Sequence, residues 1–120
     1  MKRLAVAAFF QLSSIGYGHA QAITTGNELQ EICQNAAPQQ GRVKTQIELF
    51  KSGQCVGFVT AIVRVGKLLV PGAQFCVPEN VIPDQAVKVV LKFLRDYPAD
   101  TNKPAETLAI AAFFFAWPCK

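Results

Sequence analysis

The sequence predicts an all-α fold, a small single-domain bundle of about four helices with two disulfides. Four segments carry apolar residues at the three- and four-residue spacing that buries one face of a helix. Proline and glycine separate these segments, and no internal repeat divides the 120-residue chain. The chain contains four cysteines. In a small exported domain, that number is typical of two disulfides.

The first 22 residues have the pattern of a signal peptide. A basic start precedes an apolar run over residues 4–10, and Ala20 and Ala22 are small residues that suit a signal-peptidase site. The run is too short to span a bilayer, which takes about 20 residues. We therefore expect residues 1–22 to be cleaved, with Ala20 as an alternative end. Residues 23–120 would then form one exported helical domain. An N-terminal core helix is the less favoured interpretation.

The first predicted helix begins at a capping box. Thr25 and Glu28 have the spacing at which a threonine hydroxyl accepts from the glutamate N–H, while the carboxylate accepts from the threonine N–H. The helix is expected from about residue 26 to about residue 35. Its apolar face carries Leu29, Ile32 and Cys33.

The second segment gives two conflicting signals. Residues 54–65 are rich in β-branched side chains, which favour a strand. The apolar residues recur at helical spacing and favour a buried central helix; they are Cys55, Phe58, Val59, Ile62 and Val65. We interpret the segment as part of a helix that starts near residue 43 or 44, with a break or kink at Ser52 and Gly53. Gly57 and Ala61 are expected to let a neighbouring helix pack closely.

The third helix is expected to start at Pro83 and to end at Tyr97. Proline suits the first turn of a helix, and Asp84 is favoured near the positive N-terminal end. Tyr97 should end the helix, because a residue before proline is pushed out of the helical region. The spacing of the apolar residues predicts a buried face with Val87, Val90, Leu91 and Leu94.

The fourth helix is expected over residues 104–116, with Asp100, Thr101 or Asn102 as its cap. One predicted face is formed by Leu108, Ala111, Ala112 and Phe115. Phe113 and Phe114 widen this face until little polar surface is left. Such a helix is buried nearly all round, or it packs one side against a second copy. Core or dimer interface is favoured over a ligand pocket.

The composition argues against an enzyme. The only histidine is His19, within the expected signal peptide, so residues 23–120 cannot form a Ser-His-Asp or Cys-His arrangement. There is no Cys-x-x-Cys pair, as in zinc and thioredoxin-like sites, and no glycine-rich phosphate loop. We therefore expect no catalytic residue, no metal site and no cofactor. An enzyme that uses carboxylates alone is the least favoured hypothesis.

The net charge argues against nucleic acid as a partner. The formal charge of the whole chain is +4, and removal of Lys2 and Arg3 with the signal peptide lowers it to +2. A nucleic-acid interface requires a clustered basic face, which this balance does not predict.

We expect the four cysteines to have a structural role, as partners in two disulfides. Cys33 and Cys55 would join two sequential helices, and Cys76 and Cys119 would tie the C-terminus to the body of the domain. We favour the pairs Cys33–Cys55 and Cys76–Cys119, while the two other pairings remain open at this stage.

Several short motifs occur in an order that resembles a known family. They are Gly26-Asn27-Glu28-Leu29 with Cys33, Cys55-Val56-Gly57-Phe58-Val59, Cys76-Val77-Pro78, the helix ending in Tyr97-Pro98, and Trp117-Pro118-Cys119. The order is similar to that of the immunity proteins of type VI secretion amidase effectors and covers nearly all of residues 23–120. The family tends to have phenylalanine before the final Pro-Cys, so Trp117 departs from its pattern.

The resemblance implies a periplasmic, all-helical immunity protein, often dimeric, that binds a peptidoglycan amidase from a neighbouring bacterium and occludes its active-site cleft. Tyr97 lies among charged residues, as interface anchors often do, although a tyrosine that packs back over the helix end is an equally good interpretation. No contact residue of the family maps onto this chain. As partner-binding residues we nominate the polar connection before the last helix: Arg95, Tyr97, Asp100, Asn102 and Lys103.

A periplasmic stress chaperone or another helical binding module is the alternative. It is less well supported, because residues 23–120 contain no histidine to sense mild acid and the chain has only eight acidic residues.

Overall fold

Four α-helices make up most of the computed structural model, which describes residues 22–36 and 43–120. They are α1 (Gly26–Cys33), α2 (Gln46–Val65), α3 (Pro83–Asp96) and α4 (Ala105–Ala116). Short 3₁₀ turns follow α2 at Gly66–Leu68 and α3 at Pro98–Asp100. In the described residues, extended pairing is limited to two isolated bridges, Thr25 with Pro104 and Phe75 with Pro118. The all-α prediction is confirmed.

No helix within residues 22–36 and 43–120 combines the length and the apolar character that crossing a membrane requires. The expected signal peptide, apart from Ala22, lies outside the described residues.

The capping box predicted at the start of α1 is present. Thr25 Oγ1 accepts from Glu28 N at 3.3 Å, and Glu28 Oε2 accepts from Thr25 N at 3.0 Å. The same carboxylate oxygen accepts from the hydroxyl and the amide of Thr24, each at 2.7 Å. The Thr24 hydroxyl, and after it the amides of Thr24 and Thr25, hold the pKa of Glu28 below its ordinary value of 4.5.

α2 is one continuous helix, so the break predicted at Ser52 and Gly53 is wrong. It starts at Gln46, later than predicted, behind a second capping box between Thr45 and Glu48 with bonds of 3.2 and 2.8 Å. The Ser52 hydroxyl lies 2.8 Å from the Glu48 carbonyl oxygen, one turn earlier in the helix. It also lies 3.1 Å from the carbonyl oxygen of Asn35, after the end of α1. The serine therefore bonds within the helix instead of ending it.

The close packing predicted at Gly57 and Ala61 is wrong. Both residues are exposed, and a Cβ placed on Gly57 would meet no atom within 4 Å. α2 is buried on one side only, where Cys55 and Val59 have 0% exposure, while Val65 is 38% exposed. α2 contacts α1, α3 and α4, and these helices cover that side alone. The central helix is thus half exposed rather than buried.

Glycine is needed instead at Gly26 and Gly66. A Cβ at Gly26 would collide with the Leu108 side chain and would lie 2.9 Å from the Thr101 carbonyl oxygen. A Cβ at Gly66 would collide with the Phe75 ring. These two positions allow the close approaches of α1 to α4 and of the end of α2 to the following loop.

α3 agrees with its prediction. It begins at Pro83, and Tyr97 is its C-cap, with Tyr97 N donating to Phe93 O at 3.0 Å. Val87, Val90 and Leu94 are buried, as the spacing predicted, whereas Leu91 is only partly buried and packs against the core.

α4 has the predicted extent, but its cap and one of its faces differ from the prediction. The N-cap is Pro104, and the Thr101 hydroxyl donates to the Pro98 carbonyl oxygen at 3.0 Å instead of capping the helix. Phe113 is fully buried, whereas Phe115, predicted on the buried face, is 68% exposed. Its ring lies against α3, with 6.1 Å between the Phe115 and Phe93 centroids, and solvent covers its other side.

The core lies between all four helices and includes the loop after α2. Phe75 from that loop packs on Phe113 of α4, with 5.2 Å between ring centroids. The Trp117 ring also stacks on Phe113, with 5.6 Å between ring centroids. The largest fully buried side chains are Phe75, Phe113, Leu29, Leu94, Val59, Val90, Cys33 and Cys55.

Two disulfides join the predicted pairs, Cys33–Cys55 and Cys76–Cys119. They differ in their surroundings. Cys33 and Cys55 are buried between α1 and α2, whereas Cys76 and Cys119 are both exposed. A backbone bond of 2.8 Å from Cys76 N to Trp117 O accompanies the second disulfide. Together they hold the C-terminal residues against the loop between α2 and α3.

Candidate partner-binding site

The connection between α3 and α4, residues 97–104, is called the Tyr97 turn below. Pro98 ends α3 and starts the short 3₁₀ turn Pro98–Asp100. Asp100 N donates to Tyr97 O at 3.1 Å, and Lys103 N donates to Asp100 O at 2.9 Å. The connection is therefore a compact series of turns in which proline chemistry and local hydrogen bonds fix the backbone.

The start of α1 holds the Tyr97 turn in place. Gly26 N donates to Lys103 O at 3.0 Å, and Asn27 N donates to Thr101 O at 2.8 Å. These are amides of the first helical turn, which have no partner within their own helix. Ala105 N in turn donates to Thr24 O at 3.0 Å. Two backbone bonds thus position the turn against α1, the third joins the start of α4 to the residues before α1, and Thr101 is buried at the contact.

The structure brings the nominated partner-binding residues together at this end of the molecule. Tyr97, Asp100, Asn102 and Lys103 lie on the turn itself, and Arg95 lies in the last turn of α3. Arg95, Asn102 and Lys103 are exposed, and the Tyr97 side chain is 48% exposed. Lys103 Nζ lies 2.8 Å from Asp100 Oδ1, an exposed ion pair of little energetic weight.

An apolar groove between α3 and α4 adjoins the turn and was not predicted from the sequence. Phe93 forms its floor, with ring centroids 4.7 Å from Tyr97 and 6.1 Å from Phe115. Lys92 and Asp96 form an ion pair of 2.5 Å at its rim. The groove is lined by Val89, Lys92, Phe93, Asp96, Tyr97, Ala112, Phe115 and Ala116. One signal was available in the sequence, since Val89, Phe93 and Tyr97 recur at four-residue spacing.

Tyr97 therefore agrees with both interpretations that the sequence left open, a tyrosine that packs back over the helix end and an exposed interface residue. Its ring packs back on Phe93, and nearly half of the side chain still faces solvent. A half-exposed aromatic held by a neighbouring ring can contact a partner at a low entropy cost, because its rotamer is already restricted.

The described part of the chain buries few polar side chains. Thr101 is the single buried polar side chain in residues 22–36 and 43–120. Within these ranges, no group of three or more histidine, cysteine, aspartate or glutamate side chains is placed to hold a metal ion.

A four-helix domain with two disulfides and a rigid polar turn beside an apolar groove has the features of a small binding protein. The family model of the Rap1a immunity proteins matches residues 25–119. The chain therefore belongs to the Rap1a immunity protein family, the immunity family of type VI secretion amidase effectors, and the resemblance is confirmed. No curated protein and no solved structure matches the chain significantly.

Proposed function

We propose that this immunity protein protects its cell by binding a peptidoglycan amidase effector of a type VI secretion system and occluding its active-site cleft. The family match over residues 25–119 is the observation that carries the proposal. The protein would act as a stoichiometric inhibitor and not as an enzyme. The amidase as target is supported by the family's relation to amidase effectors.

The periplasm is the proposed site of action. Peptidoglycan is the substrate of the effector, so an inhibitor must meet it outside the cytoplasm. Two disulfides support an oxidising compartment, and the basic and apolar pattern of residues 1–22 supports export by a cleaved signal peptide.

The proposed contact surface is the Tyr97 turn with Arg95. Backbone bonds to α1 fix the turn before any partner arrives, so binding would cost little ordering entropy. Tyr97 would be the aromatic anchor, and Arg95, Asp100, Asn102 and Lys103 would form a polar rim. The groove behind Tyr97 would accept an apolar side chain of the effector. We further propose that the protein is a homodimer.

Binding to the effector tests the function and the surface separately. The purified protein is mixed with the cell-wall amidase encoded beside it, and the affinity and the rate of peptidoglycan hydrolysis are measured. We expect inhibition by the parental protein. Tyr97→Ala and Lys103→Glu should each weaken binding at least about tenfold, as expected for an anchor and for a reversed charge at an interface.

Lys67→Ala is the matched control, since Lys67 is exposed in the 3₁₀ turn after α2 and belongs neither to the Tyr97 turn nor to the lining of the groove. Its affinity should equal that of the parental protein. If the parental protein binds no neighbouring cell-wall hydrolase, the proposed function is wrong. If binding occurs and both turn variants keep full affinity, only the proposed surface is wrong.

A further inference from the structure

A row of cations runs along the exposed face of α3 beside the apolar groove. Lys88, Lys92 and Arg95 are all exposed, and their spacing of four and three residues places them on one side of the helix. They are called the α3 basic row below. Lys92 lines the groove itself, and the two other cations lie about one helical turn before and after it. The row therefore borders the same groove that adjoins the Tyr97 turn.

The two outer cations of the row are unpaired in the described structure. Asp96 in the last turn of α3 and Asp100 in the Tyr97 turn are each paired with a lysine. Neither Lys88 nor Arg95 makes an ion pair or a side-chain hydrogen bond within residues 22–36 and 43–120. Like charges at this spacing destabilise a helix slightly. A partner with carboxylates would neutralise the row and remove that cost.

The groove has the size and lining that suit a side chain of a protein partner. Its volume of about 270 Å³ lies below the range of about 300–1,000 Å³ that is typical of small-molecule pockets. Six of its eight lining residues are apolar or aromatic. Tyr97 and Phe115 at its edge are 48% and 68% exposed. An apolar side chain inserted here would cover both rings.

The length of the row limits the segment that can contact it. Lys88 and Arg95 are seven residues apart, which is about 10 Å along a helix. An extended chain covers that distance in about three residues. A short extended segment with an apolar side chain between two acidic residues can therefore place the apolar side chain in the groove and a carboxylate at each end of the row.

We propose that the groove and the α3 basic row together bind an acidic segment of the effector, in which an apolar side chain lies between carboxylates. The inference rests on the proposed function and names the chemistry of the contact. The family match favours a protein over a lipid surface as the partner. Lys88 thereby joins the contact surface, and the unpaired cations would raise the rate of association with an acidic partner.

Charge reversal tests the acidic part of the contact. Affinity and association rate are measured with the cell-wall amidase encoded beside the protein, at low and at high salt. Lys88→Glu should weaken binding at least about tenfold, and salt should slow association of the parental protein. Lys67→Glu, at an exposed cation outside the groove and the Tyr97 turn, is the control and should keep the parental affinity. Both variants change the net charge equally, so a difference between them is local.

Filling the groove tests the apolar part of the contact. Ala116 is exposed at the end of α4 and lines the groove, so Ala116→Phe places a ring where the partner's side chain would bind. This variant should also weaken binding at least about tenfold. Ala61→Phe makes the same change at an exposed position of α2 outside the groove and should bind the amidase as the parental protein does.

The outcomes separate this inference from the proposed function. If the parental protein binds the amidase and either Lys88→Glu or Ala116→Phe keeps full affinity, the inference is wrong and the proposed function stands. If the parental protein binds no neighbouring cell-wall amidase, the proposed function itself is wrong. Sedimentation with phosphatidylglycerol vesicles that Lys88→Glu abolishes, without any effect of Lys88→Glu on amidase binding, would assign the row to a membrane surface instead.

Discussion

The amide of Asn27 donates a 2.8 Å hydrogen bond to the carbonyl oxygen of Thr101, which joins the first turn of α1 to the Tyr97 turn. Two residues that are distant in sequence thereby satisfy each other's backbone groups. The bond is possible because Gly26 lets α1 approach the Leu108 side chain and the Thr101 backbone without a Cβ between them. The position of the candidate binding surface therefore depends on a glycine in another helix.

Gly26→Ala should destabilise the protein by about 1–3 kcal/mol, because the new methyl group would overlap the Leu108 side chain and approach the Thr101 carbonyl. Urea unfolding followed by circular dichroism measures the change. Gly53→Ala is the matched control and should stabilise the fold by up to about 1 kcal/mol, since its Cβ enters open space within a helix. Equal effects of the two substitutions would contradict this account of Gly26.

Phe113→Ala should lower the free energy of unfolding by about 3–5 kcal/mol, because the ring is fully buried against Phe75 and Trp117 and its loss leaves a cavity. Phe115→Ala removes the same atoms from a side chain that is 68% exposed, and it should cost less than about 1 kcal/mol. Thermal unfolding of both variants checks the difference. A loss at Phe115 as large as that at Phe113 would show that the exposed face of α4 is covered in solution.

The two disulfides should be reduced in a fixed order. A dithiol reductant can reach Cys76 and Cys119 at the surface, whereas Cys33 and Cys55 have 0% exposure and become accessible only when the helices separate. Increasing dithiothreitol followed by alkylation and peptide mass spectrometry should label Cys76 and Cys119 first, with Cys33–Cys55 still intact. Simultaneous labelling of all four cysteines would mean that the first reduction unfolds the domain.

Glu28 should make stability depend on acid pH. The pKa of its carboxylate is lowered in the folded protein, first by the Thr24 hydroxyl. The contribution of Glu28 to the free energy of unfolding is therefore complete at pH values above the ordinary pKa of 4.5. This contribution is lost as the pH falls from 4.5 through the lowered pKa of the folded protein. Glu28→Gln should flatten the decline in unfolding free energy below about pH 4.5. Glu79→Gln, at an exposed carboxylate in the loop before α3 and outside any capping box, is the control, and an equal flattening by both substitutions would contradict the role of the capping box.

Helical spacing and local signals were enough to predict the fold class, the four helices and the capping box at Thr25. These features depend on residues within a few positions of each other. Gly57 and Phe115 were misplaced, because the side of a helix that its neighbours cover is set by contacts distant in sequence. The predicted break at Ser52 failed for a similar reason, since the serine finds bonding partners in its own helix and at Asn35.

The candidate surface was predicted in part. A tyrosine before proline among charged residues was sufficient to nominate the Tyr97 turn. The groove behind it needs Phe115 from α4 as well as Phe93 from α3, and the sequence gives no direct sign that these two rings meet.

The two disulfides also determine how the chain can come apart. They close two successive rings that share no residue, residues 33–55 and residues 76–119. The Tyr97 turn lies inside the second ring, so a protease that cuts the turn once leaves both pieces covalently joined. Between Cys33 and Cys119, a single cut can divide the molecule only within residues 56–75, and the first half of that stretch is the second half of α2.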